Sequence, residues 1–299
     1  MKIEIAIPCY NEASTIEKVI KDFQTAMPEA EVVVYDNSSR DNSAALAKNA
    51  GAQVIRVNLQ GKGYVVETIF ESTEADIVVL VDGDDTYEAK DAAKLIEPLI
   101  SDAVDMAIGT RLHTDTAAFR SLHRFGNRFL TAMLNTIFRT RYEDILSGYR
   151  AFSRSFIENV PIISRGFEVE TEMTIQALEK GMAVRDIPIR FRQRPTGSDS
   201  KLNTIGDGYR IVLMMIVLLR DHRPLFTFGI LGILLICISF PAWLIGFLYG
   251  STNDMFSLLR SVSALLIMLS IGLFLVGLIL NTINTRMREN FLLMKRKRR

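Results

Sequence analysis

Short apolar runs separated by polar turns open the chain. Residues 3–7 (IEIAI) form a strand pattern closed by Pro8, and apolar positions at Ile16, Val19, Ile20 and Phe23 then recur at the spacing of one helix face. A second strand is expected over 31–35, followed by the turn-rich Asp36-Asn37-Ser38-Ser39-Arg40-Asp41-Asn42, a helix to about Gly51 and a short strand over 53–57. Gly61-Lys62-Gly63 opens a further helix to about Ser72. Residues 77–81 are a continuous β-branched run of the kind buried on both faces. Strand and helix alternate, so a parallel α/β sheet is the economical expectation. Beyond residue 143 the pattern is less regular, with a helix over 168–180, a strand over 184–191 and an arginine-rich loop carrying Arg190, Arg192 and Arg194.

The C-terminal third changes character. Residues 205–220 hold the apolar run 211–219 between Arg210 and Arg220, too short to span a bilayer and suited either to its surface or to a protein core. Two longer apolar stretches follow, about 225–248, interrupted by Pro241, and about 258–280, each reaching the roughly 20 residues a bilayer demands. Only a short segment separates them, so a membrane hairpin is expected. Arg220, His222 and Arg223 precede it and Arg286, Arg288 and Lys295-Arg296-Lys297-Arg298-Arg299 follow it, which predicts both ends on the cytoplasmic side. The expected divisions are a catalytic domain over 1–204, an interface helix over 205–223, two spans within 224–282 and a basic tail over 283–299, which either touches anionic headgroups or is simply solvated.

Composition agrees with two regimes. Of 299 residues, 48% are hydrophobic, and the excess falls after residue 224. A net charge of +1 argues against a general nucleic-acid binder. The two cysteines, Cys9 and Cys237, lie in unlike surroundings, so no disulfide is expected. Met1 leads directly into a strand, so no signal peptide is expected.

In parallel α/β sheets ligands sit beyond the carboxyl ends of the strands. Three polar clusters meet that condition: residues 8–12 after the first strand, 36–41 after the second, and Asp82-Gly83-Asp84-Asp85 after the run at 77–81. Any one alone reads as a turn or helix cap; their convergence on one edge is the functional signal. Asp82 and Asp84, one residue apart, can share a hard divalent cation, Mg²⁺ or Mn²⁺, with Gly83 allowing close backbone approach. None of the three histidines has zinc-site spacing with a cysteine. An incomplete carboxylate site of this kind is normally finished by phosphate oxygens, which points to a diphosphate substrate.

The Ile-Pro-Cys-Tyr-Asn-Glu start, the 36–41 turn, the Gly-Lys-Gly loop, the Asp-Gly-Asp, Gly109-Thr110-Arg111, Asp144 with Ser147-Gly148-Tyr149-Arg150, and Ser200-Lys201-Leu202 occur in an order that resembles the family 2 inverting glycosyltransferases of GT-A fold. Within them the chain is most similar to dolichyl-phosphate mannose or glucose synthases and bacterial polyprenyl-phosphate glycosyltransferases. The resemblance covers roughly residues 3–205. It implies that Pro8, Tyr10, Asn11 and Glu12 hold the nucleoside, that Asp36 reads base or ribose, and that Asn37, Lys62, Gly83 and Arg194 belong to the same nucleotide-sugar site. Asp82 and Asp84 would hold the metal, and Thr86 stands where the subgroup often has a glutamine. Asp84, Arg111 and Lys201 would carry catalysis. Arg124, Asn127 and Arg128 fall in a stretch similar to the acceptor-phosphate segment, with Asn127 in place of a common serine.

The implied reaction moves one hexose from a UDP- or GDP-sugar to a polyprenyl phosphate, whose oxygen is already ionised and needs no general base. Transfer to a lipid hydroxyl, with Asp85 or Asp144 as base, stays open, as does a sugar-binding scaffold without turnover. The Gln-x-x-Arg-Trp motif of polysaccharide synthases is absent; the single tryptophan, Trp243, lies in the first span. Glu168, Glu170 and Glu172 read as structural or dipole-compensating. Gly272 and Gly277 allow helix packing and an oligomer.

Overall fold

The computed structural model describes residues 1–112, 121–195, 223–249 and 254–298, with 209, 212, 213, 216, 217 and 219–221; for 112, 121–125, 137, 288 and 290–298 only the backbone is described. Two compact units result, 1–214 and 215–299. Lys201 and most of the 205–223 segment lie outside the described residues.

The first unit is built on a seven-stranded sheet of order β3-β2-β1-β4-β6-β5-β7. Its strands are β1 (Ile3–Cys9), β2 (Glu31–Asp36), β3 (Gln53–Arg56), β4 (Ile77–Leu80), β5 (Met106–Leu112), β6 (Arg150–Ser153) and β7 (Val184–Arg190). Helices α1 (Ile16–Ala26), α2 (Ser43–Asn49), α3 (Lys62–Ser72), α4 (Ala92–Ser101), α5 (Ser121–Phe138), α6 (Arg154–Asn159) and α7 (Val169–Glu179) complete it. The period-2 alternation of each strand sorts its side chains between two cores. Ile3, Ile5 and Ile7 of β1 pack with Ile16, Ile20 and Phe23 of α1 and Leu95 of α4 on one face. Ala6, Val78 and Leu80 face Val65, Val66 and Ile69 of α3 and Val169 and Met173 of α7 on the other. Burial on both faces explains the unbroken apolar character of β4 and the mainly apolar β1, whose buried Glu4 is hydrogen-bonded by Tyr35 and Thr73.

The sheet is mixed rather than wholly parallel. β1 pairs parallel with β2 and β4, but β6 runs antiparallel to both β4 and β5. β6 is only four residues long and shows no diagnostic period, and α4, β5 and α5 likewise emerge only in the structure. Register places the predicted edge: Cys9 lies opposite Asp36, and the Asn37 N–H donates to the Cys9 carbonyl at 2.8 Å. Thr15, at the start of α1, donates from Oγ1 to the Gly83 carbonyl at 2.7 Å, tying the loop after β4 to the loop after β1.

The second unit is a hairpin of two apolar helices, α8 (Pro224–Tyr249) and α9 (Asp254–Arg298). Both are long and apolar enough to cross a membrane. Pro241 does not interrupt α8, which runs on through it; a proline removes one backbone donor, and one lost bond does not break a helix of 26 residues. Close approach is set by small residues. Ser270 Oγ donates to the Gly232 carbonyl at 2.7 Å, and a Cβ on Gly246 would lie 2.6 Å from the Arg260 nitrogen. The backbone of the basic tail continues α9 as helix to Arg298. Cys9 is buried and Cys237 exposed, and both are free thiols.

One carboxyl in the first unit is held against its ordinary state. Burial pushes Asp186 of β7 up to about 6, against the pull of the Glu143 N–H and of Arg150. Asp186 Oδ2 accepts that N–H at 2.8 Å, while Oδ1 is buried with no hydrogen-bond partner among the described residues. A raised value in the fold means that stability is complete below the ordinary carboxylate value and is lost as pH rises through about 6. Asp186→Asn keeps an acceptor and cannot ionise. Thermal unfolding in detergent is therefore expected to show the wild-type Tm falling relative to the variant between about pH 4 and about pH 7; parallel Tm curves would contradict this.

Candidate active site

The three predicted clusters do meet at the carboxyl edge of β1, β2 and β4. Pro8 and Tyr10 are half-buried there, and Asn11 adopts a positive φ of 54°. The Asn11 side chain accepts the Arg40 N–H at 2.7 Å, and the Glu12 N–H donates to Ser43 Oγ at 2.8 Å. Asp36 is buried, its Oδ1 accepting the Ser39 N–H at 3.3 Å. Asn37 is engaged by the chain itself: Nδ2 donates to the Leu59 carbonyl at 2.6 Å and Oδ1 accepts the Gly61 N–H at 2.8 Å. It thereby fixes the Gly61-Lys62-Gly63 turn against the end of β2.

Asp82 and Asp84 each carry a basic partner. The Lys62 ammonium lies 2.6 Å from Asp82 Oδ1 and 2.6 Å from Glu170 Oε1. Burial alone would lower the lysine's pKa, but the two carboxylates more than offset it and keep Lys62 charged. Arg194 pairs with Asp84 Oδ2. Its position follows from the chain's path: the Arg192 N–H donates to the Thr86 carbonyl at 2.9 Å and Phe191 bridges to Tyr87, which brings the loop after β7 over the loop after β4. Thr86 Oγ1 donates to Asp84 Oδ1 at 2.6 Å. Burial, with the charge of Asp82 added, raises the Asp84 carboxyl above its ordinary value, against the pull of Arg194 and Thr86.

A Cβ on Gly83 would sit 3.3 Å from Ile16 Cδ1 and 3.5 Å from the Pro8 carbonyl, so the glycine also packs the loop after β4 against β1 and α1. Asp85 points to α1, its Oδ1 2.7 Å from Lys18 Nζ.

Asp144 organises a second cluster. Arg111 reaches it bidentately, Nε to Oδ2 at 2.5 Å and Nη2 to Oδ1 at 2.8 Å, and Asn127 Nδ2 donates to Oδ1 at 2.9 Å. Burial would raise the carboxyl, but the Arg111 guanidinium holds it below the usual range. The same guanidinium lies 5.3 Å from the Phe191 ring centroid. Arg128 is exposed on α5, and the Arg124 side chain and Lys201 lie outside the described residues. Behind this cluster Arg150 is wholly buried, donating to the Ser147 and Ile145 carbonyls and to Thr174 Oγ1; burial lowers it to about 10. Arg150 thus shapes the turn that carries Gly148.

Two residues escaped the sequence reading. Glu170 looked like one of three equivalent glutamates, and Tyr87 had no motif at all, yet its hydroxyl accepts the Gly148 N–H at 3.1 Å. No sequence signal sets Glu170 apart from Glu168 and Glu172, because the burial of α7 appears only in the structure.

The sheet order, the loops at its carboxyl edge and the acidic pair define a glycosyltransferase of GT-A fold. The chain belongs to the glycosyl transferase family 2, whose model matches residues 4–160. It is 39% identical over 230 residues to the glycosyltransferase AglJ of Haloferax volcanii, covering 76% of this chain and 75% of that one. A dolichyl-phosphate hexose transferase of the same organism is 26% identical over 222 residues, covering 74% and 95%. Among solved structures, glucosyl-3-phosphoglycerate synthase from Mycobacterium tuberculosis, in complex with Mn²⁺, UDP and phosphoglyceric acid, shares the fold with a TM-score of 0.62 at 21% identity, covering 73% of this chain and 78% of that one.

Gly148 tests how tightly the site is packed. A Cβ there would lie 2.5 Å from Asp82 Oδ2 and 2.9 Å from Lys62 Nζ, so a methyl group displaces both without touching a core. Gly148→Ala is expected to lower sugar transfer by about two orders of magnitude, the cost of misplacing reacting groups by about 1 Å. Tm should stay within a few degrees of wild type; unchanged turnover would show that Asp82 and Lys62 need not hold their places.

Proposed function

We propose that the chain transfers a single hexose, with inversion, from a UDP- or GDP-sugar to a polyprenyl phosphate at a membrane. The observation that carries this reading is the pairing of every acidic group in the site that was a candidate base. Asp85 is tied to Lys18 and Asp144 to Arg111, so neither candidate base is set aside to deprotonate a hydroxyl, while basic side chains collect around Asp82 and Asp84. A phosphate acceptor is already ionised near neutral pH and needs cations rather than a base. The name of the Haloferax volcanii dolichyl-phosphate hexose transferase supports the same acceptor.

In this reading Pro8, Tyr10, Asn11, Glu12 and Asp36 hold the nucleoside, and Asn37 fixes the turn that presents Lys62. The residues suit a divalent cation by their donor set. Two carboxylates one residue apart already attract a full positive charge each, and among the described residues no third Asp, Glu, His or Cys joins them. Asp82 and Asp84 would hold Mg²⁺ or Mn²⁺, with the diphosphate completing the shell. The bound ion would neutralise charge on the departing nucleoside diphosphate. Lys62 and Arg194, which stand beside these carboxylates, would supply positive charge to the diphosphate. Arg111, held by its bidentate pairing with Asp144, would take the acceptor phosphate, a role that the family resemblance extends to Lys201, Arg124, Asn127 and Arg128. The acceptor oxygen attacks the anomeric carbon as the bond to the diphosphate breaks, and these cations offset the repulsion between the two phosphate groups.

The hairpin of α8 and α9 spans the bilayer in this reading. The basic residues Arg220 and Arg223 before it and Arg286 and the basic tail after it support a cytoplasmic side for the catalytic unit and the C-terminus.

Purified protein in detergent, given Mn²⁺ and labelled UDP- and GDP-sugars, is expected to glycosylate polyprenyl phosphate and not diacylglycerol. Asp84→Asn should reduce kcat by about 10²–10³-fold, the usual loss when a group stabilising transition-state charge is removed. Transfer to diacylglycerol alone would overturn the acceptor, and full turnover by Asp84→Asn would overturn the metal site.

A further inference from the structure

Glu168, Glu170 and Glu172 alternate along the start of α7 but have different partners. Glu172 accepts the N–H groups of Ile163 at 3.0 Å and Ser164 at 2.8 Å, and Glu168 accepts that of Gly166 at 3.0 Å. Both fasten the loop before the helix. Glu170 serves no such purpose. Its Oε1 lies 2.6 Å from the Lys62 ammonium, which lies 2.6 Å from Asp82 on its other side.

The surroundings hold this arrangement in place. Every residue of α7 from Val169 to Ala177 is buried, so Glu170 cannot swing into water. A Cβ on Gly61 or Gly63 would run into the carbonyl oxygens of Arg165 or Ser164, and the Gly63 N–H donates to the Arg165 carbonyl at 3.2 Å. The turn bearing Lys62 is thus packed directly on the loop that leads into Glu170. Glu170 Oε2 is buried with no hydrogen-bond partner in the described structure. A buried carboxylate left half-satisfied is costly for the fold, and such groups persist where they serve the site.

We infer that Glu170 is a positioning residue for sugar transfer: it shares the Lys62 charge and anchors the ammonium beside Asp82, leaving Asp82 able to take a divalent cation while Lys62 stays within reach of the donor diphosphate. This rests on the donor reading proposed above. With Asp82 as its only anion, Lys62 would have to be driven off before a cation could bind. With Glu170 as a second anion, the ammonium has a place to remain when Asp82 changes partner.

The test uses the full chain in detergent and two variants. Glu170→Gln keeps shape and removes charge; Glu170→Asp keeps charge and shortens the reach. Calorimetric titration of Mn²⁺ at saturating UDP or GDP is paired with steady-state kinetics and Tm. Glu170→Gln is expected to raise the Mn²⁺ Kd and the donor KM about tenfold, the order of one charge-assisted contact, with kcat within about threefold and Tm within a few degrees of wild type. Glu170→Asp should recover a large part of both. Unchanged Mn²⁺ and donor binding in Glu170→Gln overturns the inference while the donor reading stands. Equal loss of binding and Tm in both variants also overturns it, by showing a fold role alone. A wild type that binds neither nucleotide with Mn²⁺ overturns the donor reading, and the role of Glu170 with it.

Discussion

The carboxyl edge of the sheet gathers more negative charge than a protein interior tolerates, and the structure depends on how that charge is balanced. Asp82, Asp84, Asp144 and Glu170 all lie at least partly out of water, and three cations from different elements serve them: Lys62 from α3, shared by Asp82 and Glu170, Arg194 from the loop after β7 for Asp84, and Arg111 from β5 for Asp144. Burying an anion alone costs several kcal/mol, so the closed loops depend on these partners. The ion pairs therefore hold together segments distant in sequence, and they leave the site with basic groups beside its acids.

That balance also suits the chemistry. A site assembled from matched charges is pre-organised, because its dipoles and ions need little movement when a diphosphate enters. Glycines make the matching possible. Gly61, Gly63 and Gly148 each stand where a Cβ would strike a carbonyl oxygen or the Asp82–Lys62 pair. Beneath them, buried Arg150 holds the Ser147 and Ile145 carbonyls, so the turn that carries Gly148 is supported from the core side.

Much of the fold was legible in local pattern. β1, β2, β4, α1, α3 and α7 announce themselves because burial on one or both faces imposes a period that survives in a single sequence. The segment between residues 86 and 153 does not. β6 spans four residues, too few to show a period, and its antiparallel direction depends on where β4 and β5 happen to lie. α9 likewise outruns its apolar stretch, since a helix already formed continues into a polar tail at little cost.

The amino-acid order by itself determined the alternation of strands and helices, the convergence of three polar clusters on one sheet edge, the Asp82-Gly83-Asp84 pair and the apolar hairpin, because each is a local pattern of burial or turn chemistry. Only the tertiary structure decided which charges meet. Glu170 joining Lys62, Asp85 turning to Lys18, Asp144 binding Arg111 and Asn37 bracing the Lys62 turn are contacts across long sequence separations, and electrostatic pairing in a buried site is set by position in space, which spacing along a chain does not record.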